Sequence, residues 1–315
     1  MPLHILPRSL HYLETVARLG SIQAASRALG IAASAIDRQI IGLEQDCQAP
    51  LFERHPRGMR LTAAGETAVL LARRWRADED RLSDEIREMQ GTHQGTVRLA
   101  AMDSLSNSVL PTLVERIAKD HPRINLSIDI MSPQQAAREL DQATVDLAIA
   151  FNLVPDKSRH VLWTTPLPFG CVIGMGHPLW GAPSVTLREA AQHPIAAQSH
   201  VLPVREYLNK SYGWLFDPVK PTLVTNSHQL LKQVLKQGNL MAITSQMDVV
   251  EELLSGDLSF APIQEKGIKP QSLSVVVDSR RSLSHAARLI GEILTDIVER
   301  NLNSSKDIQE PDSMI

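Results

Sequence analysis

Three arginines at a spacing of three, Arg54, Arg57 and Arg60, follow shortly after the stretch ASAIDRQI, which carries Ser34, Asp37, Arg38 and Gln39. Guanidinium groups meet phosphate oxygens, or the O6/N7 edge of guanine, with paired N–H donors, so these residue types suit contact with nucleic acid. Arg38 is the leading candidate for a base contact, and Ser34 and Gln39 are lesser ones; Gln39 can equally border a core. The wing-like group Arg54, Arg57 and Arg60 would hold the backbone or the minor groove, with a plain solvated charge as the alternative for each. Asp37 runs against the pattern, since a carboxylate repels phosphate. It can accept a hydrogen bond from cytosine N4, orient Arg38, or complete a capping box in which Ser34 is the N-cap and Asp37 the third helical residue. Ser21 and Gln23, at the start of an earlier helix, can bind phosphate through backbone N–H groups and side chains.

These residues need elements to position them. Leu10, Leu13 and Ala17 share one helical face and run out at Gly20, a stop signal. Ser21 then caps a second helix with Ala24, Ala25, Ala28 and Leu29 as its inner face, and Gly30 opens a short turn. A third helix buries Ile36, Ile40 and Leu43, which makes a helix-turn-helix with Arg38 on the outer face. The turn HPRG, between Leu51–Phe52 and Met59–Leu61, predicts a two-stranded wing. From Thr62 to Gln90 no proline occurs, and Ala68, Ala72, Trp75, Leu82, Ile86 and Met89 fall on heptad positions, with Glu79 the polar exception. That stripe predicts pairing with another chain; packing on the C-terminal half is the alternative. GTHQG at 91–95 ends the helix.

Beyond Gly95, strands and helices alternate: TVRLAA, INLSIDIM and VDLAIAF read as strands, with helical stretches between them. This run predicts a parallel sheet covered by helices. A second set starts near Phe169 with FGCVIGM and continues through PTLVT and NLMAIT, while SLSVVVD and the helix after it can rejoin the first sheet. Chain crossings near 164–168 and 261–270 contain proline and would act as hinges.

Composition narrows the function. Seven arginines against five acids give residues 1–62 a charge of +2, leaving −5 for the remainder of a chain whose net charge is −3. No lysine precedes Lys119, a bias that fits phosphate contact or simply a GC-rich genome. The two cysteines, Cys47 and Cys171, make no ligand or redox motif, and a redox sensor is set aside on that ground. No G-x-S-x-G, Walker A, G-x-G-x-x-G or H-E-x-x-H occurs, and GMGHPLWG places proline where a dinucleotide-binding helix should start. No cofactor or metal is implied, and catalysis is excluded in favour of binding. With no signal segment and no long apolar run, a cytoplasmic protein without membrane contact is expected. A solute-binding protein or an enzyme without a DNA-binding role is the competing reading.

The chain resembles LysR-type transcriptional regulators over about residues 8–300. The opening YLETVARLGS carries the likeness, as do Ala24, Ala25, Leu29, Ile36, Arg38, Gln39, Ile40, Leu43, Glu44, Pro50, Leu51, Phe52, Arg54, Leu61, Thr62, Ala64 and Gly65; HPRINL, VDLAIAF and GHPL are weaker landmarks. The resemblance implies an α+β multidomain chain: a winged helix-turn-helix at 1–62, a dimerising linker helix at 63–91, and an α/β periplasmic-binding-protein-like effector domain at 92–302. Its subdomain I would span 92–165 plus 269–302 and subdomain II 166–268, leaving 303–315 as a disordered tail. It further implies a homodimer or a homotetramer on promoter DNA, with RNA polymerase as a candidate partner. A small effector, aromatic or carboxylic by analogy, would lie between the subdomains. The chain departs from the family at Ala32 and Asp37, where hydroxyl residues usually stand. Cleft positions just after strands are Met102, Asp103, Ser104, Ser132 and Phe151 on one lobe. On the other they are Gln198, Ser199, His200, Asn226, Ser227 and Thr244, with simple helix capping as the alternative for the serines. No arginine or lysine stands among them, which argues against a strongly anionic ligand held by ion pairing.

Overall fold

The computed structural model describes residues 5–56, 58–89, 94–199, 203–216 and 221–309. Two compact units emerge. The first comprises Met1–Gln94 with Asp141–Thr144 and Arg281–His285; the second comprises Gly95–Leu140, Val145–Arg280 and Ala286–Ile315.

In the first unit, α1 (Arg8–Leu19) ends on Gly20, whose φ of 66° is a left-handed cap that glycine adopts without strain. Ser21 caps α2 (Ile22–Leu29) by accepting from Ala24 N–H. The third helix, α3 (Ala33–Asp46), has Ile36 and Ile40 fully buried against Leu13, Val16 and Ala25. Ala28, expected inside, is exposed; Ile22 takes its place in the core, because the helix entry at Ser21 turns that earlier residue inward.

The capping box expected at Ser34 and Asp37 does not form. α3 starts at Ala33, and Ala32 is its N-cap with no side-chain hydrogen bond; the N–H groups of Ala35 and Ile36 go to the Ala32 carbonyl. After the left-handed Gly30 only Ile31 and Ala32 remain before the helix, and the Ser26 hydroxyl holds that turn by donating to the Ile31 carbonyl at 2.6 Å. Ser34 and Asp37 therefore lie inside the helix already begun.

The wing is β1 (Phe52–His55) paired antiparallel with β2 (Gly58–Leu61). Glu44 of α3 accepts from the N–H groups of Leu51 and Phe52 at 2.8 and 3.2 Å, and Met59 N–H donates to the Gly20 carbonyl at 2.7 Å. Both ends of the wing are thus tied to the helices. Thr62 caps α4 (Ala63–Met89): its hydroxyl accepts from Gly65 N–H at 3.0 Å and donates to the Pro50 carbonyl at 2.7 Å.

The second unit has two lobes. Its larger sheet, in the order β4-β3-β5-β12-β6, joins β3 (Gly95–Ala101), β4 (Ile124–Ile130) and β5 (Leu147–Phe151) in parallel. Strand β12 (Gln271–Asp278) runs antiparallel to both its neighbours, β5 and β6 (Arg159–Leu167), so the βαβαβ run is parallel as expected while the complete five-stranded sheet is mixed. Helices α5 (Val109–Asp120), α6 (Pro133–Asp141) and α11 (His285–Gln309) accompany it. Helix α11 runs to Gln309, well into the stretch expected to be a disordered tail; Leu302, buried, belongs to its inner face. Residues 310–315 lie outside the described residues.

The smaller lobe holds the antiparallel sheet β10-β7-β11, made of β7 (Phe169–Gly174), β10 (Met241–Ser245) and β11 (Leu258–Pro262). A parallel pair, β8 (Ala196–Gln198) and β9 (Leu223–Thr225), adjoins it through an Ile195–Met241 bridge. Helices α7 (Leu187–Ala190), α8 (Pro203–Tyr212), α9 (His228–Leu235) and α10 (Val250–Leu254) complete it. The chain crosses between lobes at Pro168 and again between Pro262 and Gln271. No described helix is long and apolar enough to cross a membrane.

Candidate nucleic-acid interface and effector cleft

A groove of about 620 Å³ opens between the N-terminus of α2, the first turns of α3 and the wing. Ser21, Gln23, Ser34, Asp37 and Arg54 line it. Ser34, Arg38, Gln39, Ile41 and Gln45 are exposed on α3, so Gln39 faces solvent and not the core. Asp37 is half-buried, and its Oδ1 accepts a hydrogen bond from Arg54 Nη2 at 2.6 Å. The acid therefore engages the wing and not Arg38. Arg60 is exposed on β2 opposite Glu53, while Arg57 lies outside the described residues. The structure thus brings Ser21, Gln23, Ser34, Asp37 and Arg54 to one groove and leaves Arg38, Gln39 and Arg60 on the adjoining surface.

Along α4, Trp75, Leu82, Ile86 and Met89 are exposed, Met89 at 85%. Beside them an apolar groove of about 630 Å³ is lined by Ile5, Leu6, Leu10, Leu43, Trp75 and Leu82. Ala68 and Ala72 differ from expectation. Ala72 is only 3% exposed and Ala68 packs against the unit's own core, because α4 begins against α1 and the wing before it extends beyond them. Glu79, the polar break in the stripe, accepts from the backbone N–H groups of Ile5 and Leu6. Glu14 holds the same helix through Arg76 at 2.6 Å.

In the second unit the strand ends converge. The short turn Asp103–Leu105, after β3, touches Gln246–Val249, after β10, and Asn107 Nδ2 donates to Gln229 Oε1 at 3.0 Å from one lobe to the other. Met102 and Phe151 are buried together, with Phe151 N–H directed at the Met102 sulfur at 3.1 Å. The buried Ser104 Oγ, Gln198 Nε2 and Gln271 Nε2 and the inward Ser199 Oγ have no hydrogen-bond partner among the described residues.

Other expected cleft residues have local partners. Ser132 pairs with Gln135 at the start of α6, Ser227 caps α9, and the Thr244 hydroxyl donates to Asp248. Asp103 and Asn226 are exposed, and His200 lies outside the described residues. Sequence reasoning missed Gln271, Asn107 and Gln229. The available signal for Gln271 was a glutamine opening a strand with a Val-Val-Val centre, directly after a proline crossing.

Cys171, inside the smaller lobe, is pushed up to about 12 by burial and then by the Glu189 charge, which keeps it a thiol and not a nucleophile. Among the described residues no cluster of histidine, cysteine and carboxylate side chains could hold a metal ion.

A helix-turn-helix with a tied wing, followed by a two-lobed α/β domain, is the architecture of a DNA-binding protein with a ligand-binding half. Residues 7–66 match the family "Bacterial regulatory helix-turn-helix protein, lysR family", and residues 90–298 match "LysR substrate binding domain". The chain belongs to the LysR family of transcriptional regulators, whose DNA binding is modulated by a small-molecule effector. Among similar curated proteins, a "Probable RuBisCO transcriptional regulator" of Emiliania huxleyi is 24% identical over 308 residues, 96% of this chain and 97% of that protein. A "Probable nitrogen assimilation transcriptional activator" of Synechococcus elongatus is 25% identical, over 89% and 92% of the two chains. A full-length OxyR variant from Pseudomonas aeruginosa shares the fold at a TM-score of 0.65 and 16% identity, covering 94% of this chain and 95% of its own. CbnR complexed with its target DNA aligns at a TM-score of 0.57 and 18% identity, over 93% and 99%.

Proposed function

We propose that α3 enters the major groove of promoter DNA with Arg38 at a base edge and Ser34 and Gln39 beside it. Ser21 and Gln23, at the N-terminus of α2, and Arg54, Arg57 and Arg60, on the wing, meet the phosphates on either side. The division assigns 1–62 to DNA, 63–91 to dimerisation and 92–302 to the effector. The exposed stripe Trp75, Leu82, Ile86 and Met89 joins two chains, as a homodimer or as a homotetramer built from two dimers, and RNA polymerase is a partner on the promoter. The regulator acts in the cytoplasm, where its promoter lies, and has no catalytic role.

The effector is a small aromatic or carboxylic metabolite held between the lobes. Ser104, Gln198 and Ser199 supply hydrogen bonds, Met102 and Phe151 supply apolar contact, and Asp103, Ser132, His200, Asn226, Ser227 and Thr244 form the surround. An unpartnered buried polar atom costs about 1–3 kcal/mol, which a ligand carrying complementary groups offsets.

One observation supports the DNA reading above the rest: the groove that gathers Ser21, Gln23 and Ser34 beside a wing arginine, next to an exposed Arg38. The test is a gel shift with DNA from upstream of the protein's own gene and neighbouring promoters. Specific retardation is expected, and Arg38→Ala should weaken it by about 1–3 kcal/mol, the discrimination of one bidentate base contact. Retardation of every duplex alike, unchanged by Arg38→Ala, would sink the reading.

A further inference from the structure

We propose that Asp37 is a positioning residue for DNA binding: it fixes the Arg54 guanidinium of the wing over the first turns of α3, so that the pair meets the DNA backbone as one unit. The inference rests on the interface described above. Asp37 and Arg54 stand 17 residues apart on different elements, yet Oδ1 and Nη2 are 2.6 Å apart. Both line the groove that also holds Ser21, Gln23 and Ser34.

The pair is on the surface, with side-chain exposures of 59% for Arg54 and 34% for Asp37. Exposed ion pairs add little to folding, so fold stability does not account for an acid on this face. Binding does. A guanidinium carries five N–H donors, so Arg54 can hold Asp37 and still offer donors to a phosphate. A lone arginine on a four-residue strand must give up rotamer freedom when it contacts DNA, whereas one already held by a carboxylate gives up less.

The pairing also removes the objection to an acid here. A bare carboxylate repels phosphate, but one engaged by a guanidinium presents no net charge to it. Because Oδ1 is committed to Arg54, the acid is occupied on the wing side and is not aimed along the helix toward Arg38. The backbone on which Arg54 sits is itself fixed, by Glu44 at the start of β1 and by the Met59-to-Gly20 hydrogen bond on β2. A short, tied hairpin gives the ion pair a defined geometry to act through.

The experiment uses the full-length protein and two probes: a duplex recovered from randomised DNA by repeated selection with the wild-type protein, and a random-sequence duplex of equal length. Dissociation constants are measured across a series of salt concentrations. Asp37→Asn should weaken binding to the selected duplex about tenfold at every salt concentration, because a pair without net charge releases no counterion of its own. Arg54→Gln should do the same, the double variant should be no weaker than either single one, and Asp37→Glu should restore most of the affinity. The thermal midpoint should stay at the wild-type value in all of them.

Four results would overturn the proposal: tighter binding of both duplexes by Asp37→Asn, unchanged binding, additive losses in the double variant, or relaxed preference at a single C·G pair with Arg54→Gln silent. Arg38→Ala keeps the two readings apart. If it abolishes selective binding while Asp37→Asn does nothing, the interface stands and the pairing falls; if neither matters, the interface itself is misplaced.

Discussion

His177 shows what burial does to a single titratable side chain. It lies in the smaller lobe, with its ring centroid 4.8 Å from that of His193. Burial, and then the His193 charge, hold it below its ordinary value of 6.5. The fold therefore keeps His177 neutral while an unfolded chain takes the proton first. Its contribution to stability is complete above 6.5 and is lost as pH falls from there through the lowered folded value. The thermal midpoint of the full chain should drop between about pH 7.5 and 5.5, and His177→Asn should make that drop shallower. Parallel pH profiles for the two proteins would show that His177 has no such role. The residue's type was legible in the sequence; its titration was not, because burial beside His193 is a property of packing. Asp37 is a similar case. The S-x-x-D spacing matches a capping box, but whether a box forms depends on where the helix begins, and the turn at Gly30 makes Ala32 the N-cap, two residues before Ser34.

Elements are specified by close approaches as well as by periodicity. Gly65, in the first turn of α4, shows this: a Cβ there would lie 1.9 Å from the Leu51 carbonyl oxygen and 2.9 Å from a Leu61 methyl. The obstacle is backbone, so no rotamer change relieves it, and α4 would have to shift away from the wing. Gly65→Ala should destabilise the first unit by about 3 kcal/mol, the scale of a severe steric substitution. In calorimetry of the full chain the transition of the DNA-binding unit should move down while that of the effector domain stays, and an unmoved first transition would show that the contact yields. The helices and the wing were readable because their signals are local: Ser21, Gly20, Gly30 and the HPRG turn. Strands β6 and β11 were not. β6 lies at a sheet edge, carries Pro166 and is exposed along most of its length, so it lacks the apolar alternation by which a strand is recognised. β11 is five residues long and ends in proline. The mixed sheet went unread for the same reason, since strand direction is set by long-range pairing of β12 with β5 and β6.

At the scale of the whole molecule, the apolar stripe on α4 is the surface on which we propose that two chains meet. Trp75, Leu82, Ile86 and Met89 recur at heptad intervals on a 27-residue helix, and each is at least 39% exposed. Fully burying such a side chain contributes about 1.5–3 kcal/mol, so four per chain exceed what most monomers leave in water. A second copy of the helix, laid against this stripe and the groove beside Ile5 and Leu10, would cover it. Leu82→Glu combined with Ile86→Glu should therefore release single chains of 34.8 kDa in light scattering, and DNA affinity should fall because the two half-sites no longer act together. Ala72→Glu provides the contrast, since Ala72 belongs to the core of its own DNA-binding unit. That substitution should lower the first unfolding transition, through the burial of an unpaired charge. A double variant that keeps the wild-type mass would place the assembly contact elsewhere on the chain. A stripe that separates oligomerisation from folding in this way would show that Trp75, Leu82, Ile86 and Met89 of the heptad pattern serve the partner, while Ala68 and Ala72 serve the chain itself.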